Sequence, residues 1–590
     1  MLPFADSRRL TGLNPFLASP GAALEVTGIE VDDRLIDGWR RRAARALAHL
    51  GWTPAGGAPL LCARRHATGA SLTLAAPADQ LYTATEVNEW ALAATVVELD
   101  PSLSAGIEAE LRDAASDDAD PPVIAESASL ARLARLAARE ARPALTELIE
   151  AATAAGVSHM LDEEQLTLGR GAGSRSWPLD DLPKPEAQTW HGLRDIPTAV
   201  VTGSNGKTTT VRVIAACARE HGWVPGYSCT DGLFIAGEAA EPGDYSGPIG
   251  TRHVLRDPRV EAAALETARG GILRRGLAIE RAHAAVVTNI SSDHFGEYGV
   301  HDLDTLADVK LTVGALIHGD GLLVLNADDP LLRAKAPALR ERFGRALPVA
   351  WFAQHADQPF LAEHRAVGGS TCGLRAGRLV LHWAGTESDL GGIDAMPLTA
   401  AGAAHFNVSN LSAAALASAA LGVAPATIAR AFARFGTQPT DNPGRLMRFE
   451  RHGVTVLLDY AHNPASLRGI LQVAQRLRGP GRIGMLLGHA GNRQDADFDQ
   501  VADVVAGFRP DLVVVKEIED YLRGRAPGEV PGLLRNALLR HGLPEPSVEI
   551  RMSELEAARL ALDWARPGDV LVMLVHSLEA RAAVLEMLRP

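Results

Sequence analysis

The apolar run Thr198-Ala199-Val200-Val201 leads directly into Thr202-Gly203-Ser204-Asn205-Gly206-Lys207-Thr208-Thr209-Thr210, and from there into VRVIAACARE, which reads as a helix. Strand, glycine turn, Gly-Lys-Thr and helix in that order constrain this chain more than any other feature. The glycines sit where the backbone must bend around an anion, so that amide N–H groups and the helix N-terminus face phosphate. Lys207 is then placed to reach the β- and γ-phosphates of a nucleotide, and the Thr208 hydroxyl to ligate the accompanying magnesium. Gly203, Asn205, Gly206 and Thr209 complete the candidate cradle. The loop departs from a generic phosphate loop in one respect, since Val201 stands where the first glycine would be.

Such a loop belongs in an α/β core, and the sequence around it agrees. TAVVTG, AAVVTN and GLLVLN read as buried strands alternating with helical segments, the pattern of a parallel sheet covered by helices. After about Arg445 a second series (VTVLLDY, RIGMLLG, LVVVKEI, DVLVMLVH) predicts a smaller Rossmann-like domain. At 590 residues the chain exceeds what one core usually holds. The expected organisation is an α/β protein with a separate α+β N-terminal domain over 1–191, a central nucleotide-binding domain over 192–440 and a C-terminal domain over 441–590. Ser127 to Ala155 reads as one Ala-rich helix, and Gly171 to Pro197 as a hairpin end followed by a linker.

The formal charge of −13 argues against a nucleic acid as the main partner. The start MLPFADSRRL lacks the apolar centre of a signal peptide, and no run reaches the length and apolarity of a membrane span, so the expected location is the cytoplasm. Cys62, Cys217, Cys229 and Cys372 form no CxxC pair and are expected to be buried or neutral thiols. Of the 58 basic residues only five are lysine: Lys184, Lys207, Lys310, Lys335 and Lys516. A lysine kept where arginine is the habitual cation points to a need for a primary amine.

Two further strand ends carry polar side chains. Glu266 closes a strand ahead of Thr267-Ala268-Arg269-Gly270-Gly271, which reads as a glycine turn, and Thr288-Asn289-Ile290-Ser291-Ser292-Asp293-His294 closes another. An acid at the carboxyl end of a strand suits magnesium, although a single strand-end Glu or His is more often a solvated or capping residue.

Taken together these segments resemble the Mur ligase superfamily. GSNGKTTT looks like its GTNGKTTT loop, and LETARGGILR with the later LNADDP looks most like the Mur-ligase-like domain of cyanophycin synthetase. The resemblance implies that Glu266 and His294 help hold magnesium near an acyl-phosphate site. It further implies that Lys310 becomes a carbamate orienting a metal ion. Asn326 and Asp328 resemble the family's adenine-side segment, where a helix N-cap is the plain alternative. His405-Phe406-Asn407 with Asn410 resembles its HNxxN segment, interrupted by Phe406. Pro443-Gly444-Arg445 and Asp459-Tyr460-Ala461-His462-Asn463-Pro464 match its PGR and DYAHxP signatures, which place Arg445 at the nucleotide phosphates, Asp459 at the ribose and His462 facing the cleft. Gly488 to Asp495 resembles its GxxGDRxD loop that receives the incoming amine, with Asn492 in place of the acid. His576 reads as a structural strand-end histidine.

The implied activity is an ATP- and magnesium-dependent ligase that activates a carboxylate as an acyl phosphate and joins it to the amine of an amino acid or peptide, in cyanophycin-like or related polymer metabolism. A poly-glutamate, folate-like or cell-wall-precursor acceptor is the alternative among ligases, and a non-catalytic ATP-binding regulator the alternative from another class. An ATP-grasp enzyme in a separate chain and self-association into a homo-oligomer are the partners this reading allows. The resemblance spans roughly 195–590 and leaves the first 190 residues unassigned.

Overall fold

The computed structural model describes residues 4–53, 59–114, 124–292 and 295–589. Its centre is an eleven-stranded sheet. The seven strands from Pro225–Cys229 to Thr371–Arg375 run parallel, with the phosphate-loop strand Thr198–Thr202 between Ala262–Glu266 and Ala282–Val287. Antiparallel strands finish both edges: Gly232–Ile235 and Glu238–Pro242 on one side, Arg378–Trp383 and Thr386–Gly392 on the other.

Burial on both faces explains why the central runs are continuously apolar. Ala199 and Val201 point into one cluster with Val211, Ile214, Leu411 and Leu416. Val200 points into another with Leu265, Val287 and Leu325. From Thr198–Thr202 the chain leaves to one side of that strand and later crosses to the other, so a crevice opens at the strand's carboxyl end. That crevice holds the phosphate loop.

The C-terminal sheet has six strands in the order Met447–Arg451, Val454–Asp459, Val570–Leu574, Ile483–Leu487, Leu512–Lys516 and Val548–Arg551. All but the first pairing are parallel. At the N-terminus, four antiparallel strands between Phe4 and Ala75 pack on helices Asp33–His49 and Leu81–Leu99 around Trp39 and Trp90. A small three-stranded sheet from His159 to Pro178 follows, covered by helix Pro143–Ala154.

Two expectations are corrected here. The single helix expected over Ser127 to Ala155 is two, Glu126–Glu140 and Pro143–Ala154. Pro143 lacks an N–H and disfavours helical backbone at Arg142 (φ −124°, ψ 82°), so it starts a new helix. The glycine turn expected after Glu266 is a short helix, Arg269–Arg275. Its Gly271 lies under Pro248, where a Cβ would stand 3.0 Å from Pro248 Cδ, so tertiary packing overrides the glycine's low helix propensity.

The N-terminal unit is tied to that short helix. Arg8 Nε donates to Leu273 O at 2.8 Å and Thr11 N to Arg275 O at 2.8 Å. Arg8 is held in turn by Glu25, whose second oxygen accepts from Ser71 at 2.8 Å. Burial raises the Glu25 carboxyl, but contacts with His66, Arg8 and Ser71 outweigh it and hold the group below its usual range. Among the described residues no helix is long and apolar enough to cross a membrane.

Candidate active site

A cleft of about 950 Å³ lies between the carboxyl ends of the central and C-terminal sheets. The phosphate loop forms its floor, and two glycines make that loop possible. At Gly203 (φ 142°) a Cβ would lie 1.8 Å from Thr288 Oγ1, and at Gly206 (φ 83°) 2.2 Å from Asn410 Oδ1. Positive φ and close approach together admit only glycine. The neighbouring strand end fixes the loop from the side. Ser204 N donates to Asn289 O at 2.9 Å, Asn205 N to Asn289 Oδ1 at 3.0 Å, and Thr288 Oγ1 to Asn205 O at 2.6 Å. Lys207 Nζ folds back to Ser204 O at 3.2 Å, which keeps the ammonium beside the loop's amides.

Facing the loop, the buried Glu266 carboxylate accepts from Thr208 Oγ1 at 2.7 Å and from Thr230 Oγ1 at 2.9 Å. Lys310, also buried, lines the same cleft. His294 lies outside the described residues. Among the described residues no group of three or more His, Cys, Asp or Glu forms a metal cage. The donors present nonetheless fit magnesium, which is bound through one or two carboxylates together with substrate phosphates and water. A buried carboxylate and a hydroxyl beside a phosphate loop supply the protein's share.

The remaining expected residues divide. Asn326 donates to Thr288 O at 2.9 Å and lines the cleft. Asp328 does not line it; its oxygens accept from Gln354 N at 2.6 Å and Gln358 Nε2 at 3.1 Å. Asp329 caps the next helix through Leu331 N and Leu332 N. Asn407 donates to Leu398 O at 2.8 Å and accepts from Asn410 at 3.0 Å, while Asn410 stands against Gly206 beside the phosphate loop. Phe406, the residue that interrupts the motif, lines the cleft together with Phe352.

The C-terminal domain closes the cleft. Asn463, the N-cap of helix Pro464–Leu477, donates to Asn205 Oδ1 at 2.9 Å, joining the two domains at the phosphate loop. Arg445 lies over the Tyr460 ring at 4.5 Å. Asp459 accepts from Leu446 N at 2.7 Å and Ala461 N at 2.8 Å, and its burial raises the carboxyl above its usual range. His462 contacts Tyr460 O through Nδ1 at 3.2 Å and lines the cleft.

Sequence reasoning missed a second charged centre. Asp231, in the turn after Pro225–Cys229, receives Arg212 Nη2 at 2.9 Å, both terminal nitrogens of Arg581 at 3.2 Å, and Arg445 Nη2 at 3.5 Å. Burial alone would raise the Asp231 carboxyl; Arg445, Arg212 and Arg581 hold it below the usual range. Three guanidiniums thus converge on one carboxylate that lines the same cleft as the phosphate loop. No local motif announces this centre, because its members come from a turn, a helix interior, a hinge and the last helix.

Residues 201–418 match the family model for the Mur ligase middle domain, and residues 444–574 that for the Mur ligase, glutamate ligase domain. Among curated proteins, cyanophycin synthetase of Synechocystis sp. (strain ATCC 27184 / PCC 6803 / Kazusa) is 33% identical over 395 residues, covering 67% of this chain and 44% of that protein. Cyanophycin synthetase of Trichormus variabilis is 35% identical over 394 residues, covering 67% and 42%. The chain thus spans less than half the length of these relatives. UDP-N-acetylmuramoyl-L-alanyl-D-glutamate--2,6-diaminopimelate ligase of Corynebacterium efficiens is 27% identical over 399 residues, covering 64% and 69%. Among solved structures, Mycobacterium tuberculosis folylpolyglutamate synthase complexed with ADP aligns at a TM-score of 0.48 and 18% identity, over 67% of this chain and 91% of that one.

Proposed function

For a chain that belongs to the Mur ligase family through residues 201–418 and 444–574, we propose the activity of an ATP-dependent ligase that joins a carboxylate to an amine. The observation that carries the proposal is the pairing of a phosphate loop with the buried Glu266 carboxylate, which accepts from the Thr208 and Thr230 hydroxyls and the Thr230 N–H in the same cleft as Lys207. A buried acid facing the loop fits magnesium held beside the nucleotide's phosphates, which the ligase reaction uses. We take 1–191, 192–440 and 441–590 as its domains and the cytoplasm, where ATP is available, as its location.

In this mechanism the substrate carboxylate attacks the γ-phosphorus of ATP in line, giving ADP and an acyl phosphate. Lys207 and the loop amides neutralise charge on the phosphates as it moves toward the leaving ADP, without reorganising during the step. The amine then attacks the activated carbonyl, and the tetrahedral adduct collapses to an amide with loss of phosphate and a proton. Asn205, Asn463 and Arg445 hold the domains together over the cleft, which excludes water from an acyl phosphate that would otherwise hydrolyse. Thr208 and Glu266 would hold magnesium, with His294, and with Lys310 once carbamylated. The metal, when bound, supplies charge neutralisation at the β- and γ-phosphates. The place of Lys310 in the cleft supports the carbamate, because a primary amine there can form one. The finer reading, in cyanophycin-like polymer metabolism, rests on the 33% identity to cyanophycin synthetase and on the resemblance of LETARGGILR to its Mur-ligase-like domain.

Phosphate release from ATP and magnesium, across amino acids and acidic acceptor peptides including β-linked chains, tests the proposal against the Lys207→Ala variant. Release that needs one acceptor and one amine, disappears in the variant and yields a product heavier by one amide bond establishes the ligase. ATP binding without turnover under every pair refutes it. Intact-mass measurement with and without bicarbonate tests the Lys310 carbamate separately.

A further inference from the structure

Thr230 and Asp231 form the two-residue turn between strands Pro225–Cys229 and Gly232–Ile235, whose ends pair through Cys229 and Gly232. Their side chains serve different parts of the cleft. Thr230 donates through Oγ1 to Glu266 at 2.9 Å, on the acid that would hold magnesium. Asp231 faces the hinge instead. Its Oδ1 receives both terminal nitrogens of Arg581 at 3.2 Å, while its Oδ2 receives Arg212 Nη2 at 2.9 Å and stands 3.5 Å from Arg445 Nη2. Arg445 is the residue that the Pro-Gly-Arg signature places at the nucleotide phosphates, and among the described residues Asp231 is the one carboxylate that pairs with it. Burial works against the charge of Arg445, but Asp231, with Asp459 and Glu266 behind it, outweighs that and holds the guanidinium above its usual range.

The three guanidiniums on Asp231 are not equivalent. Arg212, on the helix that follows the phosphate loop, also donates through Nη1 to Asn442 Oδ1 at 3.2 Å and Pro443 O at 3.1 Å, so it grips the hinge backbone. Arg581, in the first turns of the last helix, fills the space beside Gly444, where a Cβ would lie 2.1 Å from its Nη1. Asn442 then donates to Arg445 O at 3.1 Å. Carboxylate and hinge are thus fixed together by two arginines. Arg445 lies at the longest distance and is the most exposed of the three, at 16% against 1% and 6%, so it has guanidinium surface to offer a ligand. An arginine oriented beforehand loses less rotamer freedom when a phosphate engages it.

We propose that Asp231 is a positioning residue for nucleotide binding, which Arg212 and Arg581 brace and which holds the Arg445 guanidinium in place for the phosphates of ATP. The proposal rests on the ligase reading for the identity of the nucleotide and for the role of Arg445, but the affinities it sets do not depend on turnover.

Calorimetric titration of the full chain with ATP and magnesium, in the absence of any carboxylate or amine substrate, tests it through a cycle of Asp231→Asn with Arg445→Met. Arg445→Met alone is expected to weaken ATP by about tenfold or more, the scale of a charge-assisted hydrogen bond. Asp231→Asn should weaken ATP by about fivefold or more when Arg445 is present and by less than about twofold when it is methionine, because a residue that acts through another has nothing left to position. A merely structural aspartate would weaken binding to the same extent in both backgrounds. Should Asp231→Asn alone fail to fold, the same comparison is made with Asp231→Asn combined with Arg581→Met, which removes the acid together with one of its guanidiniums and leaves less buried charge uncompensated. Equal weakening in the two backgrounds, unchanged affinity in Arg445→Met, or no ATP binding by the wild type overturns the proposal. Absence of turnover with the coupling intact removes the ligase reading and leaves the assignment of Asp231 standing.

Discussion

Replacing Asp231 by Asn should uncouple the two halves of the cleft. Its side chain is 8% exposed, and its partners Arg212, Arg581 and Arg445 are 1%, 6% and 16% exposed. Removing one member of so buried a set leaves uncompensated guanidinium charge, a loss of about 3–5 kcal/mol. Part of it is local, because Arg212 and Asp231 both belong to the central unit. The remainder couples the domains, because Arg445 and Arg581 arrive from the hinge and the last helix. A double-mutant cycle of Asp231→Asn with Arg581→Met, read by equilibrium urea unfolding, should give a coupling of about 1–3 kcal/mol. The sign with pH follows from the lowered carboxyl. Its stabilisation is complete above the ordinary value of 3.8 and is lost as the pH falls through the lower folded-state value. The gap between wild type and Asp231→Asn should therefore hold from neutral pH to about pH 4 and narrow only below it. Additivity of the two substitutions within about 0.5 kcal/mol would refute the coupling, since independent sites add to that tolerance.

Gly206→Ala places a methyl 2.2 Å from Asn410 Oδ1 at φ 83°, and should weaken nucleotide binding by about tenfold or more in a fluorescent-nucleotide titration while costing roughly 1–3 kcal/mol of stability. Glu266→Gln keeps the shape of the contacts with Thr208 and Thr230 but removes the charge. The magnesium concentration for half-maximal turnover should rise by about tenfold or more, with metal-free nucleotide affinity little changed. Cys217, Cys229 and Cys372 are buried, with thiols pushed up to about 12, 11 and 12, whereas Cys62 is half-buried. A thiol reagent at pH 8 should label Cys62 first in the native chain and all four only after denaturation.

The phosphate site was legible because its signal is local. Strand, glycines, Lys207 and Thr208 are contiguous, and the conformations required at Gly203 and Gly206 are written in the residue type. Of the rare lysines, Lys207 and Lys310 line the cleft and Lys516 is buried, while Lys335 holds Asp304 and Asp308 at 2.9 Å each. The Asp231 centre was not legible, since it joins residues up to 350 apart in sequence. His576 reads as a structural strand-end histidine, and its buried contacts with Lys516 and Glu554 come from residues 60 and 22 positions upstream. The helix break at Pro143 was available in the sequence, and the Ala-rich background concealed it. Helix Arg269–Arg275 was not, because two adjacent glycines argue against a helix unless the packing partner Pro248 is known.

The bonds from Arg8 and Thr11 to Leu273 O and Arg275 O bear on how much of this chain is a self-sufficient unit. A helix of seven residues ends with carbonyls that nothing inside it can satisfy, and here Arg8 in strand Phe4–Leu10 and Thr11 just after it supply donors. The same helix begins at Arg269, which lines the cleft and grips Glu297 at 2.7 Å. A fragment trimmed to the family-matching residues would expose those carbonyls, fray the helix from its far end and loosen the support of an arginine three residues beyond Glu266. The opening segment therefore works as a splint on the catalytic half, so swapping or deleting it in a chimaera alters the cleft even where no residue of the cleft has been changed.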